Sequence, residues 1–353
     1  MGTPRSSPTI RRRHRLWLAG LLGVGVAAVS LAGARAHEAG QPVATSASPA
    51  PEALEVDASR FAERSFDWFD NQRQRRVPAK LYLPAGKTAA GSVPLVVFSH
   101  GIGGSRDGYR YLGQYFAAHG FGSLHVQHVG SDRQIWRGNP FALTARLSDA
   151  AQASEALHRV QDLRFSLDQI LAEPEGAGFD TRRIAAAGHS YGANTTMLIA
   201  GAQVEQNGQK VSLRDTRISA AILISAPPFY DQGDPRRILG GIDIPTLHIT
   251  ATEDVIRIPG YVSGVQDRTD IFQAIGSERG APKVLAVFKD GSHSIFTDRA
   301  ATGGRELNPK VKIATRQLAL AFLNGLPDNS FRTMDAWPQR NAELLARFER
   351  RAP

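Results

Sequence analysis

The chain contains no cysteine in 353 residues. That excludes disulfides, a thiol nucleophile, a thiolate metal site and a lipid anchor through cysteine. The first 36 positions contain no acidic residue but carry Arg5, Arg11, Arg12, Arg13, Arg15 and Arg35. Those six charges supply most of the formal +9, and the +3 left on the rest is an ordinary surface charge. A nucleic-acid partner is therefore not expected. His100, His119, His125 and His128 invite a metal reading, but no H-E-x-x-H pattern or carboxylate cluster accompanies them. No metal and no cofactor is expected. No internal repeat is visible.

The length suits one large α/β domain with extensions. Residues 1–36 read as an export signal: a basic stretch at 11–15, an apolar run at 16–31, and Ala34-Arg35-Ala36 as a cleavage site. A retained membrane anchor is the rival reading of the same run. After cleavage no membrane span is expected. Arg12-Arg13 leaves both the Sec and the twin-arginine routes open. Either would deliver the protein to the periplasm or the exterior. Residues 37–55, rich in Ala, Pro and Ser, read as a flexible leader, and 56–353 as the folded unit.

Within that unit, strand-like and helix-like patterns alternate, which predicts a mostly parallel sheet with helices on both faces. Residues 64–70 and 77–83 read as an opening antiparallel pair. Further strands are expected at 94–99, 122–126, 183–187, 218–225, 246–250 and 284–288. Helices are expected at 109–119, 193–200 and 311–323. Residues 130–160 interrupt the alternation and read as an insertion placed to act as a lid. They are followed by a helix at 163–171. Residues 338–350 read as a short charged helix with Leu344, Leu345 and Phe348 on one side, closing the chain as a helical extension.

Gly188-His189-Ser190-Tyr191-Gly192 lies between the apolar run at 183–187 and the helix-like 193–200. A G-x-S-x-G in a strand–turn–helix setting makes Ser190 a candidate nucleophile. The glycines are expected because a Cβ at Gly188 or Gly192 would strike a neighbouring element. A serine needs a base and an acid to orient that base. Only His248 and His293 follow Ser190. His248 falls inside a strand and His293 just past the last one, so His293 is the candidate base. Asp254, after the 246–250 strand, is the favoured acid, with Glu253, Asp231 and Asp234 as alternatives. Oxyanion donors are expected from the backbone N–H of Tyr191 and of Ile102, in Ser99-His100-Gly101-Ile102-Gly103-Gly104. That loop lacks the Lys-Ser/Thr ending of a phosphate loop. His100 and His189 read as hydrogen-bonding residues beside the nucleophile. Trp136, Phe141, Phe229 and Tyr230 are candidate substrate contacts, although core packing explains them as well.

Taken together, these motifs resemble the α/β-hydrolase superfamily over about residues 64–325. Within it, 99–104 with 188–192 is similar to the predicted dienelactone-hydrolase and platelet-activating-factor-acetylhydrolase-like group, and to bacterial cutinase-like polyester hydrolases. The resemblance implies an α/β-hydrolase fold and a secreted carboxylester hydrolase, with Ile102 and Tyr191 at the oxyanion positions. Its expected partner is a small-molecule or lipid-like ester. Two departures stand out. Dienelactone hydrolases use a cysteine nucleophile. The acetylhydrolases, aligned by eye, carry their acid after the preceding strand, where this chain has Ser225. Phospholipid, polyester and peptide or amide substrates remain alternatives.

Overall fold

The computed structural model describes residues 53–351, apart from 207, 259–260, 277–279, 299–301, 303 and 329–330. The expected export signal and all but the end of the expected leader lie outside the described residues. Ala53 and Leu54 are held by the body: the Arg316 guanidinium donates to both of their carbonyls at 2.6 Å.

The chain opens with an antiparallel pair, β1 (Phe61–Asp70) and β2 (Arg75–Pro84). Then come β3 (Val93–Ser99), α1 (Arg110–Ala118) and β4 (Gly122–Val126). Every residue of β3 and β4 is buried, as strands covered on both faces require. After two short 3-10 turns come α2 (Leu143–Ala150) and α3 (Ala153–Ala172). Next are β5 (Phe179–His189), α4 (Tyr191–Ala200) and a small hairpin of β6 (Gln203–Gln206) and β7 (Gln209–Ser212). β8 (Ile218–Ile224), α5 (Pro235–Leu239) and β9 (Thr246–Glu253) continue the alternation. A second hairpin, β10 (Ile256–Ile258) and β11 (Tyr261–Ser263), precedes α6 (Val265–Ala274). β12 (Lys283–Ser292), α7 (Gly304–Gly325), α8 (Trp337–Arg340) and β13 (Leu345–Arg351) complete the chain.

Nine strands form one sheet in the order β1-β2-β4-β3-β5-β8-β9-β12-β13. The six from β4 to β12 are parallel, and the antiparallel strands lie outside them. Helices α1 and α7 cover one face, with Leu112, Phe116, Leu318 and Phe322 packed on Phe98, Ile222 and Phe288. Helices α3 and α4 cover the other, with Leu163, Leu167 and Met197 on Val97, Ala186 and Leu223. Among the described residues, no helix is long and apolar enough to cross a membrane.

Two expectations are corrected. Residues 338–350 do not form one helix. The open edge of β12 would leave a row of backbone groups unpaired, and β13 covers it, with Ala286 opposite Phe348 and Phe288 opposite Leu345. The insertion is also shorter than 130–160. From Ala153 onward α3 is a single core helix, with Ala156, Val160 and Leu163 buried. Only about 130–152 stands outside the alternating pattern.

Candidate active site

The strand order reverses between β3 and β5, since β4 lies to one side and β8, β9 and β12 to the other. At such a point the loops leaving neighbouring strands diverge and open a crevice at their carboxyl ends. The register then sets the contents. Ser99 pairs with Gly188, so the 100–104 loop emerges beside the turn that holds Ser190. Ser292 pairs with Glu253, so Asp254 and His293 are the next residue out on two adjacent strands.

Ser190 sits at φ 55°, ψ −124°, a conformation an L-residue adopts only under strain. Its N–H is anchored to the Ile224 carbonyl at 2.9 Å. The turn is tight: a Cβ at Gly188 would lie 2.2 Å from the Gly192 carbonyl oxygen, and one at Gly192 would lie 1.9 Å from that of Ser99.

The Ser190 hydroxyl is 2.8 Å from His293 Nε2, and His293 Nδ1 is 2.7 Å from Asp254 Oδ1. Asp254 is fully enclosed, and its other oxygen accepts from the Thr250 hydroxyl at 2.6 Å. Burial pushes this carboxyl up, but His293, Arg268 and the Thr250 hydrogen bond together hold it well below the ordinary carboxylate range. It therefore stays ionised and fixes the imidazole with Nδ1 protonated and Nε2 facing the serine. The alternatives lie elsewhere. His248 is buried within β9 with Nε2 3.0 Å from the Thr246 hydroxyl. Asp234 caps α5, and Glu253 and Asp231 are exposed.

The loop after β3 passes directly over the serine, since a Cβ on Gly101 would stand 3.3 Å from Ser190 Cβ. The backbone N–H groups of Ile102 and Tyr191 donate no hydrogen bond among the described residues. Tyr191 is the first residue of α4, where an N–H has no intrahelical acceptor and the helix dipole favours negative charge.

Two histidines link these loops. Tyr109 donates its hydroxyl to His189 Nδ1 at 2.8 Å, and His189 Nε2–H donates to the His293 carbonyl at 2.9 Å. His100 accepts from the His128 N–H at Nε2 and donates from Nδ1 to the Gly101 carbonyl at 2.7 Å. Burial pushes His189 down to about 3 and His100 well below the ordinary histidine range, so both remain neutral.

The four aromatic candidates do not form one wall. Trp136 lies against the 100–104 loop and donates its indole N–H to the Gly103 carbonyl at 2.9 Å. Tyr230 bonds Ser263 in the β11 strand at 2.8 Å, on another side of the sheet's rim. Phe229 is buried in the core beside Ile238 and Ile271, and Phe141 is 94% exposed. Two cavities of about 200 and 310 Å³ open at the amino ends of the strands, beside Pro94 and Arg183 and beside Val93 and Phe179, away from Ser190. Among the described residues no cluster of three or more His, Asp or Glu is placed to hold a metal ion.

Sequence reasoning missed Arg159, Asp162 and Arg268, all buried and charged. The signal for the first two was there: Glu155, Arg159 and Asp162 recur on one helical face between apolar residues.

Residues 74–135, which include β3 and the 100–104 loop, match the family model described as platelet-activating factor acetylhydrolase, isoform II. Among solved structures, the ferulic acid esterase from Streptomyces cinnamoneus is 18% identical, with a TM-score of 0.53. The match covers 76% of this chain and 90% of that one. No curated protein matches the sequence. The chain has the α/β-hydrolase fold, and the family-model match agrees with the acetylhydrolase-like resemblance read from the motifs.

Proposed function

We propose that the protein is an exported serine carboxylester hydrolase acting on short-to-medium acyl esters. One observation carries this reading: an unbroken hydrogen-bonded line from Ser190 through His293 to Asp254, beside two backbone N–H groups that have no acceptor among the described residues.

His293 Nε2 takes the Ser190 proton as the hydroxyl oxygen attacks the ester carbonyl. The carbonyl oxygen gains charge and is received by the N–H groups of Ile102 and Tyr191. His293 then gives its proton to the departing alcohol, leaving an acyl group on Ser190. Water enters, loses a proton to the same nitrogen, and releases the acid. Asp254 remains a carboxylate throughout and stabilises the imidazolium at each step. No cofactor takes part.

The acetylhydrolase match spans the oxyanion loop and favours a small acyl group. Residues 1–36 supply the export signal, by the Sec or the twin-arginine route, which places the working protein in the periplasm or outside the cell.

The test is turnover of p-nitrophenyl acyl esters of increasing chain length, beside the matching p-nitroanilides, a phospholipid and a polyester. Ester turnover falling with chain length and far above anilide turnover supports the reading. Anilide turnover equal to ester turnover moves the function to a peptidase or amidase.

A further inference from the structure

Arg159 is completely buried in the middle of α3. A guanidinium without water is costly to bury unless its N–H groups are met. Here they are met by two separate segments. Nε donates to the Thr195 hydroxyl at 3.0 Å, and that hydroxyl donates on to the Tyr191 carbonyl at 3.0 Å. The guanidinium carbon Cζ lies over the Tyr191 ring, 4.4 Å from its centre. On its other side Nη2 donates to the Ser99 hydroxyl at 3.1 Å and to the His100 carbonyl. Nη1 donates to the Ser131 hydroxyl at 2.7 Å, and the Ser131 carbonyl accepts the Gly103 N–H at 2.8 Å. Ile102 therefore sits between two peptides held by this cluster, and Tyr191 is held from behind by the same side chain.

We propose that Arg159 is the positioning residue of the oxyanion hole, setting the spacing between the Ile102 and Tyr191 N–H groups. This rests on the ester-hydrolase reading.

The surrounding groups fix the guanidinium in turn. The Ser99 hydroxyl donates to His128 Nε2 at 2.9 Å, and His128 Nδ1–H donates to Asp162 at 3.1 Å. Ser131 donates to Glu155 at 2.7 Å. Arg75 bridges Asp162 and Glu155, so the acids that face Arg159 are themselves compensated. Ser99, His128 and Asp162 repeat the donor order of a catalytic triad, but all three are fully buried and no ester can reach them. They orient the Ser99 lone pair toward Arg159.

The test is Arg159→Met, which removes the fork and keeps an apolar stem. Rates are normalised to Ser190 sites titrated with a fluorophosphonate, and hydrogen exchange is followed over 99–104 and 189–193. The hole acts on the transition state, so kcat is expected to fall about 100-fold with KM within about threefold. Exchange should accelerate in both segments and stay unchanged over α7. If Arg159→Met does not fold, Thr195→Val severs the Tyr191 link at nearly constant volume, with about a tenfold fall in kcat expected by the same split. A purely structural role lowers thermal stability but leaves kcat per titrated site and both exchange rates unchanged, and that result overturns the proposal. Wild-type protein with no ester turnover and no Ser190 adduct defeats the functional reading instead. The exchange arm then decides the tether alone: acceleration in both segments supports it, and no change overturns it.

Discussion

The Arg268 guanidinium lies 3.5 Å from Asp254 Oδ1, 3% exposed, and none of its nitrogens has a hydrogen-bond partner among the described residues. Its attraction to Asp254 is therefore through charge alone. Asp254 is shared between this cation and the His293 ring. Among the described residues, the His189 ring also packs against His293, with ring centres 4.9 Å apart, and burial keeps it neutral.

Arg268→Met is expected to leave the imidazolium facing an unshared carboxylate. The carboxylate's full charge then falls on the imidazolium that forms as Ser190 loses its proton, so kcat/KM at neutral pH should rise by about two- to threefold. The variant keeps Asp254 bonded to His293 and Thr250 but loses its buried counter-ion, so a lower melting temperature is expected as well. A lower melting temperature with unchanged kcat/KM would make Arg268 structural only.

Acid should unfold the protein early. His100, His125, His128, His189 and His248 are each enclosed, and burial is the main cause that pushes them down: to about 4 for His125, about 3 for His128, His189 and His248, and well below the ordinary value for His100. In the unfolded chain each takes a proton near 6.5, whereas in the folded chain it does not. Their folded values are depressed, so stability is full above 6.5 and is lost as pH falls toward 3–4. Each group costs about 1.4 kcal/mol per pH unit, so five cost about 10 kcal/mol by pH 5. That is comparable to the whole stability of a domain. Burial also pushes the Asp162 carboxyl up, but His128 and Arg75 outweigh this and bring it to about 2, so it adds to the loss in the same direction at still lower pH. Calorimetry from pH 7 to pH 5 should show a steep fall in melting temperature, with about five protons taken up on unfolding at the acid end. A flat profile contradicts the burial of these rings.

Gly192→Ala should fail to give native protein. Its Cβ would sit 1.9 Å from the Ser99 carbonyl oxygen, which is backbone in the buried end of β3 and cannot rotate away. A loss of more than about 4 kcal/mol is expected, read as insoluble expression or loss of cooperative unfolding. A soluble variant with a wild-type melting temperature contradicts the packing of the turn.

Much of the frame was legible because chemistry and periodicity agree there. Ser190, Asp254 and His293 each stand one residue past a strand, and the apolar runs before them end in turn residues. The exact reach of β9 and β12 was not legible. Both run several residues beyond their apolar cores, because pairing continues where burial fades. The 345–351 strand was hidden because Leu344, Leu345 and Phe348 also suit a helix, and only the open edge of β12 selects the strand. Glu155, Arg159 and Asp162 were passed over for a different reason: charges on a helix suit a solvated face, and although their shared helical face is visible in the sequence, the partners that bury them come from distant segments. Phe141 and Phe229 show the same limit from the apolar side, since one is in solvent and the other in the core.

The most direct test of the central claim is mass spectrometry of the protein after reaction with a fluorophosphonate. The account predicts a single adduct on the peptide containing Ser190, absent from Ser190→Ala, with ester turnover lost in that variant and its melting temperature kept. Undiminished ester turnover in folded Ser190→Ala, or an adduct on another residue, would contradict it.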